Sequence, residues 1–179
     1  MIFGDVNPSG VLPVTIPRHA GQLPVYYNYP KSKRFWLENG FAHPYMDMDS
    51  APLYAFGHGL SYTTFEYSNL RMDKSMGVGG TARISVDIKN TGDRAGKHVV
   101  QLYIEDLVGS VETPVQELKG FRKILLGPGE TQTVTLELGP DELALYDRHM
   151  EHVVEPGDFR IMIGAASDDI RLSDILTVY

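Results

Sequence analysis

The stretch TARISVDIKN, residues 81–90, decides the fold. Ala82, Ile84, Val86 and Ile88 fall on one side of an extended chain, and Arg83, Ser85, Asp87 and Lys89 on the other. Successive side chains of a strand point to opposite faces, so this alternation predicts a half-buried β-strand. Downstream, HVVQLYIED (98–106) places Val100, Leu102 and Ile104 on one face, TQTVTLEL (131–138) places Val134, Leu136 and Leu138, and DFRIMIGA (158–165) places Phe159, Ile161 and Ile163. Weaker strand patterns occur in FEYSNLRM, QELKGFRKILL, ALYDRHMEHVV and IRLSDILTV. Between them lie NTGDRAG, GPGE, GPDE and EPGD, where glycine permits positive φ and proline presets a turn. No long helical periodicity competes. Short strands spaced by turns over little more than a hundred residues predict an all-β, antiparallel sandwich of the fibronectin type III or immunoglobulin-like kind.

Upstream of residue 63 the character changes. Prolines at 8, 13, 17, 24, 30, 44 and 52 interrupt each short apolar run, so neither a long helix nor a central strand is expected. VLPVTIP (11–17) offers one short edge strand. The segment is nonetheless rich in aromatic residues, Tyr26, Tyr27, Tyr29, Trp36, Tyr54 and Phe56 among them, and such surface needs something to bury against.

With 179 residues the chain suits one domain and an appendage. Its net charge of −7 and the lack of a basic stripe exclude a nucleic-acid partner, because phosphate binding draws on clustered Lys and Arg. It has no cysteine, hence no disulfide, thiolate metal site or cysteine nucleophile. MIFGDVNPSG is not a signal peptide, and no stretch approaches the roughly 20 apolar residues that a membrane helix needs, so no membrane association is expected.

Chemistry-bearing patterns are few. Carboxylates are paired at Asp47 and Asp49, Glu105 and Asp106, Asp141 and Glu142, and Asp168 and Asp169, each read as solvated acids of a loop, turn or strand end. Asp168 and Asp169, preceded by Ser167, could be imagined as a calcium loop, and a turn of exposed acids is the preferred reading. His149 and His152, three apart in an extended chain, would face opposite ways and hold no metal. GVGG (77–80) opens no helix and is read as a loop, and SYTTF (61–65) brings hydroxyls without a histidine base. Trp36 and Tyr45 could form an aromatic platform for a sugar ring, or pack on protein outside the chain. No cofactor is implied.

Five blocks in order carry a family resemblance: FGDVNPSGVLPVTIPRHAGQLPVYYN (3–28), PLYAFGHGLSYTTFEYSNL (52–70), NTGDRAGKHVVQLYIED (90–106), PVQELKGFRKILLGPGETQTVTLEL (114–138) and EPGDFRIMIG (155–164). Together they resemble the C-terminal portion of glycoside hydrolase family 3, the β-glucosidase and β-xylosidase family. That resemblance implies a barrel, then an α/β sandwich, then an accessory fibronectin type III-like domain. It places residues 1–62 at the end of the α/β domain with its linker and 63–179 in the third domain. It also implies a retaining hydrolase whose Ser-Asp-Trp-like nucleophile motif and acid/base glutamate lie upstream. Neither motif is present here, so the chain alone is not expected to be active. Tyr45 to Asp47 match the family's Y-x-D pattern, which adds Asp47 to Trp36 and Tyr45 as candidate carbohydrate contacts. Departures occur at Val11, Pro44, Ala55 and His58, where the family usually carries Lys, Arg, Pro and Tyr.

The expected role is to buttress upstream catalytic domains of the same polypeptide and to shape substrate access. The alternative is a stand-alone module that binds polysaccharide or protein, and docking of residues 1–62 on a second copy would make a homodimer. Localisation is left open, because family members are often periplasmic or secreted and a leader would precede the upstream domains.

Overall fold

The computed structural model describes residues 1–38 and 49–179, with the backbone alone for 35–38. A 3₁₀ turn at Ala20–Gln22 and helix α1 (Lys31–Glu38) precede ten strands: β1 (Phe65–Met72), β2 (Ser75–Met76), β3 (Ala82–Asn90), β4 (Gly96–Asp106), β5 (Glu117–Leu126), β6 (Thr131–Leu138), β7 (Leu145–Tyr146), β8 (His152–Val153), β9 (Gly157–Ala166) and β10 (Asp169–Val178). A one-turn helix, α2 (Pro140–Leu143), follows β6. The predicted sandwich is present. One sheet runs β1-β3-β6 and the other β2-β10-β9-β4-β5, antiparallel throughout except for the β2–β10 pair.

The alternation in residues 81–90 emerges as expected, with Ala82, Ile84, Val86 and Ile88 all at most 1% exposed. They meet Val134, Leu136 and Leu138 of β6 in their own sheet and Val100, Leu102, Ile104, Ile161, Ile163 and Leu176 from the facing one. Burying a branched aliphatic side chain contributes about 1.5–3 kcal/mol each, so this two-sided apolar layer is the main source of stability.

Two readings change. The weak strand pattern around 144–153 resolves into the two-residue pair β7 and β8 joined by a turn, in which Asp147 accepts backbone N–H groups of His149 and Glu151. The segment read as irregular contains α1, which begins just after Pro30, a position that proline's fixed φ suits. VLPVTIP makes a single bridge, Ile16 to Tyr54, rather than a strand.

Asn90 ties the core to the start of the sandwich. It is fully buried, its amide N–H group donating to the carbonyls of Arg94 (2.8 Å) and Leu126 (3.0 Å), while its side-chain oxygen accepts from Thr63 Oγ1 (2.5 Å) and from the backbone of Gly92 (3.1 Å). A buried polar group left without its partner costs about 1–3 kcal/mol. Asn90→Ala is therefore expected to lower unfolding stability by about 2–4 kcal/mol, read as a reduced urea midpoint with unchanged slope.

Candidate functional site

The functional surface is built on the outside of the five-stranded sheet. A half-buried strand would leave Val99, Gln101, Tyr103 and Glu105 of β4 facing water, yet all four are at most 9% exposed. Residues 1–62 cover them. The chain runs out along residues 10–16 and back along 53–59 as a ribbon, held by Leu12 N–H to His58 O (2.8 Å), Gly57 N–H to Leu12 O (2.8 Å) and Ile16 N–H to Tyr54 O (2.8 Å).

Gln101 anchors the ribbon. Its amide donates to the carbonyls of Ala165 (2.5 Å) and Gly57 (3.2 Å), and its oxygen accepts from Tyr103 Oη (2.5 Å). Gly57 has φ of +82°, and a Cβ there would lie 2.2 Å from the Gln101 oxygen, so both backbone conformation and space require glycine. Beside it Tyr27 stacks on Phe56 at 4.2 Å and meets Tyr103 edge-on at 6.0 Å. Its hydroxyl accepts from Leu118 N–H (3.2 Å), and Ser167 N–H donates to Phe56 O (2.9 Å).

Two features flank this anchor. On one side a cleft of about 500 Å³ is lined by Tyr26, Tyr27, Tyr29, Lys33, Gln116 and Asp168 among others. On the other, a hollow of about 300 Å³ contains His98 and Tyr67. His98 Nε2 lies 2.6 Å from Tyr67 Oη and its ring stacks on Phe65 at 4.3 Å. Burial, helped by Arg171 and opposed by Asp169, pushes the imidazole down to about 4, and burial raises the Tyr67 phenol. Neither group is poised for acid–base work near neutrality.

The carboxylate pairs are scattered. Glu105 is 2% exposed, so its reading as a solvated strand-end acid is corrected: it lies between two guanidiniums, Arg34 Nη2 at 2.5 Å on one oxygen and Arg160 Nη1 at 2.6 Å on the other. Burial raises the neighbouring Asp106. Glu142 caps α2 by accepting Gly139 N–H (2.8 Å), Asp49 accepts Ala51 N–H (3.0 Å), Asp168 is exposed, and Asp169 pairs with Arg171 (2.5 Å). In the described pairs Glu105–Asp106 and Asp168–Asp169, one carboxylate is held by an arginine, so the two are not offered together to a sugar, as retaining hydrolysis requires. Among the described residues no three His, Cys, Asp or Glu side chains gather where they could hold a metal ion. Of the candidate sugar contacts, Tyr45 and Asp47 lie outside the described residues, and Trp36 is on α1 with its side chain outside them too.

Sequence reasoning missed Gln101, Gly57 and Glu105. For Gln101 and Glu105 the available signal was a polar side chain in the outward positions of an otherwise apolar β4, and for Gly57 the sequence carried none.

Fold and surface together define an accessory β-sandwich strapped by the end of a preceding segment. A fibronectin type III-like domain model matches residues 98–167, and the glycosyl hydrolase family 3 C-terminal domain model matches 1–62. A putative β-xylosidase of Formosa agariphila is 45% identical over 172 residues, 96% of this chain and 22% of the relative. A periplasmic β-glucosidase of Salmonella typhimurium is 41% identical over 175 residues, 96% of this chain and 23% of the relative. Among solved structures, a β-glucosidase from Erythrobacter marinus superposes with TM-score 0.90 at 47% identity, over 99% of this chain and 23% of that one. The chain thus belongs to glycoside hydrolase family 3 and carries its C-terminal accessory region. It spans less than a quarter of the length of these relatives.

Two outcomes are expected. Gly57→Ala should displace Gln101 and loosen the ribbon by roughly 1–3 kcal/mol, so limited proteolysis should cut before residue 63 faster while the sandwich resists. His98 is neutral when folded, whereas in the unfolded chain it takes up a proton near pH 6.5. The folded state then binds fewer protons between pH 6.5 and about 4, and stability falls as pH drops through that window. His98→Phe, which preserves the stack on Phe65, should narrow the difference between urea midpoints measured at pH 7 and pH 4.5.

Proposed function

We propose that this chain supports the catalytic part of a larger β-glucosidase- or β-xylosidase-like enzyme that cleaves β-glycosidic bonds with retention. The observation that carries the reading is the concentration of exposed large apolar side chains in residues 1–62. Most of the exposed large apolar side chains among the described residues precede residue 63, with Ile2 at 90%, Phe3 at 92% and Leu60 at 73% exposed. Such exposed apolar surface marks an interaction surface, and relatives more than four times as long supply the occupant: upstream sequence of the same polypeptide.

The seam between the two domains is placed at residues 62 and 63. Supporting it, the hydroxyl of Ser61 and the backbone of Tyr62 donate to Asn7, which precedes the ribbon, whereas Thr63 bonds Asn90 of the sandwich. Trp36, Tyr45 and Asp47 are proposed as contacts to an oligo- or polysaccharide at the edge of the substrate entrance. The cleft beside α1, with three tyrosine rings and Lys33 from that helix, offers the aromatic and polar chemistry that sugar binding uses.

The test is to assay the purified chain on aryl β-glucosides and β-xylosides while measuring its mass in solution. Turnover no greater than in buffer, with these apolar side chains left free on a monomer, is the expected result. Robust turnover would overturn the supporting role, and a stable dimer would transfer them to a second copy.

A further inference from the structure

Helix α1 is poorly equipped to form by itself. It has eight residues, below the about 12–15 at which isolated helices become stable. Lys31, Lys33 and Arg34 crowd its first turn, where the positive end of the helix dipole disfavours cations, and that turn contains no acid.

The missing negative charge comes from the sandwich. Glu112, in the loop after β4, accepts Ser32 N–H at 2.8 Å through its carboxylate, satisfying one of the donors that a helix start leaves open. That bond holds the Glu112 carboxyl below its usual range. Glu105 of β4 supplies the second carboxylate. Arg160 sits directly opposite it on β9 and occupies one oxygen, and the other oxygen receives Arg34 of α1. Around these two acids Lys31 Nζ donates to the Asp106 carbonyl, Lys31 N–H donates to Thr113 O, and Val115 N–H donates to Tyr29 O.

We propose that Glu112, which caps the first turn from the sandwich, and Glu105, which holds the Arg34 side chain, are positioning residues, so that α1 exists only while docked on the sandwich. The proposal rests on the supporting role above and names how that support reaches the helix leading into residues 39–48.

Amide hydrogen exchange of the whole chain tests it. Glu105→Gln and Glu112→Gln should each speed exchange at residues 35–38, by about tenfold for Glu105→Gln, while protected amides of β3 and β9 change less than about twofold. Arg34→Lys, which keeps a cation on Glu105, should retain more protection than Arg34→Ala. Should Glu105→Gln fail to fold, Glu112→Gln and the Arg34 pair carry the test, since those changes leave the Glu105–Arg160 pair in place. Unchanged exchange at 35–38, or acceleration shared equally by β3 and β9, would overturn the proposal. Either result is independent of whether the chain turns over a glycoside, so the two readings fail separately.

Discussion

The amide of Gln101 is the constraint on which the arrangement depends. An unpaired amide buried beneath the ribbon would cost several kcal/mol in an apolar setting, so burial of this side chain demands partners. It finds one in β9, one in the ribbon and one in Tyr103. These bonds cross from sheet to strap, and they fix the strap's register through Gly57, where only a residue without a side chain lets the backbone come so near. A slide of the ribbon by one residue would bring a Cβ against the amide and orphan the Gln101 donors. Polar contacts buried in this way specify geometry more than they add net stability.

Covering the outer face of β4 makes the strand central in two senses. Its inward residues close the sandwich core, while its outward residues form a second, mixed interior with Tyr27, Phe56 and the ribbon. The end of the same strand passes to Glu105 and the loop that receives α1. The core, the strap and the helix therefore share one rigid element, and a perturbation of β4 reaches all three. Hinged independence of residues 1–62 from the sandwich is hard to reconcile with this sharing, whatever the seam between them in domain terms.

The sandwich was legible because its information is local. In β3 the inward residues from Ala82 to Ile88 are apolar and the outward ones polar, so period two reports both structure and burial. The strap over β4 was not legible: the family resemblance placed residues 1–62 at the end of another domain, and the hydrogen bonds that hold them on the sheet join residues far apart in sequence, 44 positions for Gly57 and Gln101. In β4 the same alternation rule misled, because it assumes water on the polar side. Gln101 and Glu105 satisfied the rule's pattern while being buried under a different part of the chain. Helix α1 escaped notice for a related reason: the charges that favour its start are supplied by Glu112 and Glu105, 80 and 71 residues away, and not by its own first turn.

That last point bears on how an accessory domain can influence chemistry it does not perform. A β-sandwich offers few mobile parts, yet a sheet rim can present fixed carboxylates and carbonyls to a passing segment. Where that segment has an adverse charge pattern, as the cations of α1 do, its conformation is decided by the rim and not by its own propensity. Glu105 is suited to this because Arg160 already offsets its desolvation within the sheet, leaving one oxygen to select an incoming guanidinium. Rigidity in the sandwich is thereby converted into order in the strap.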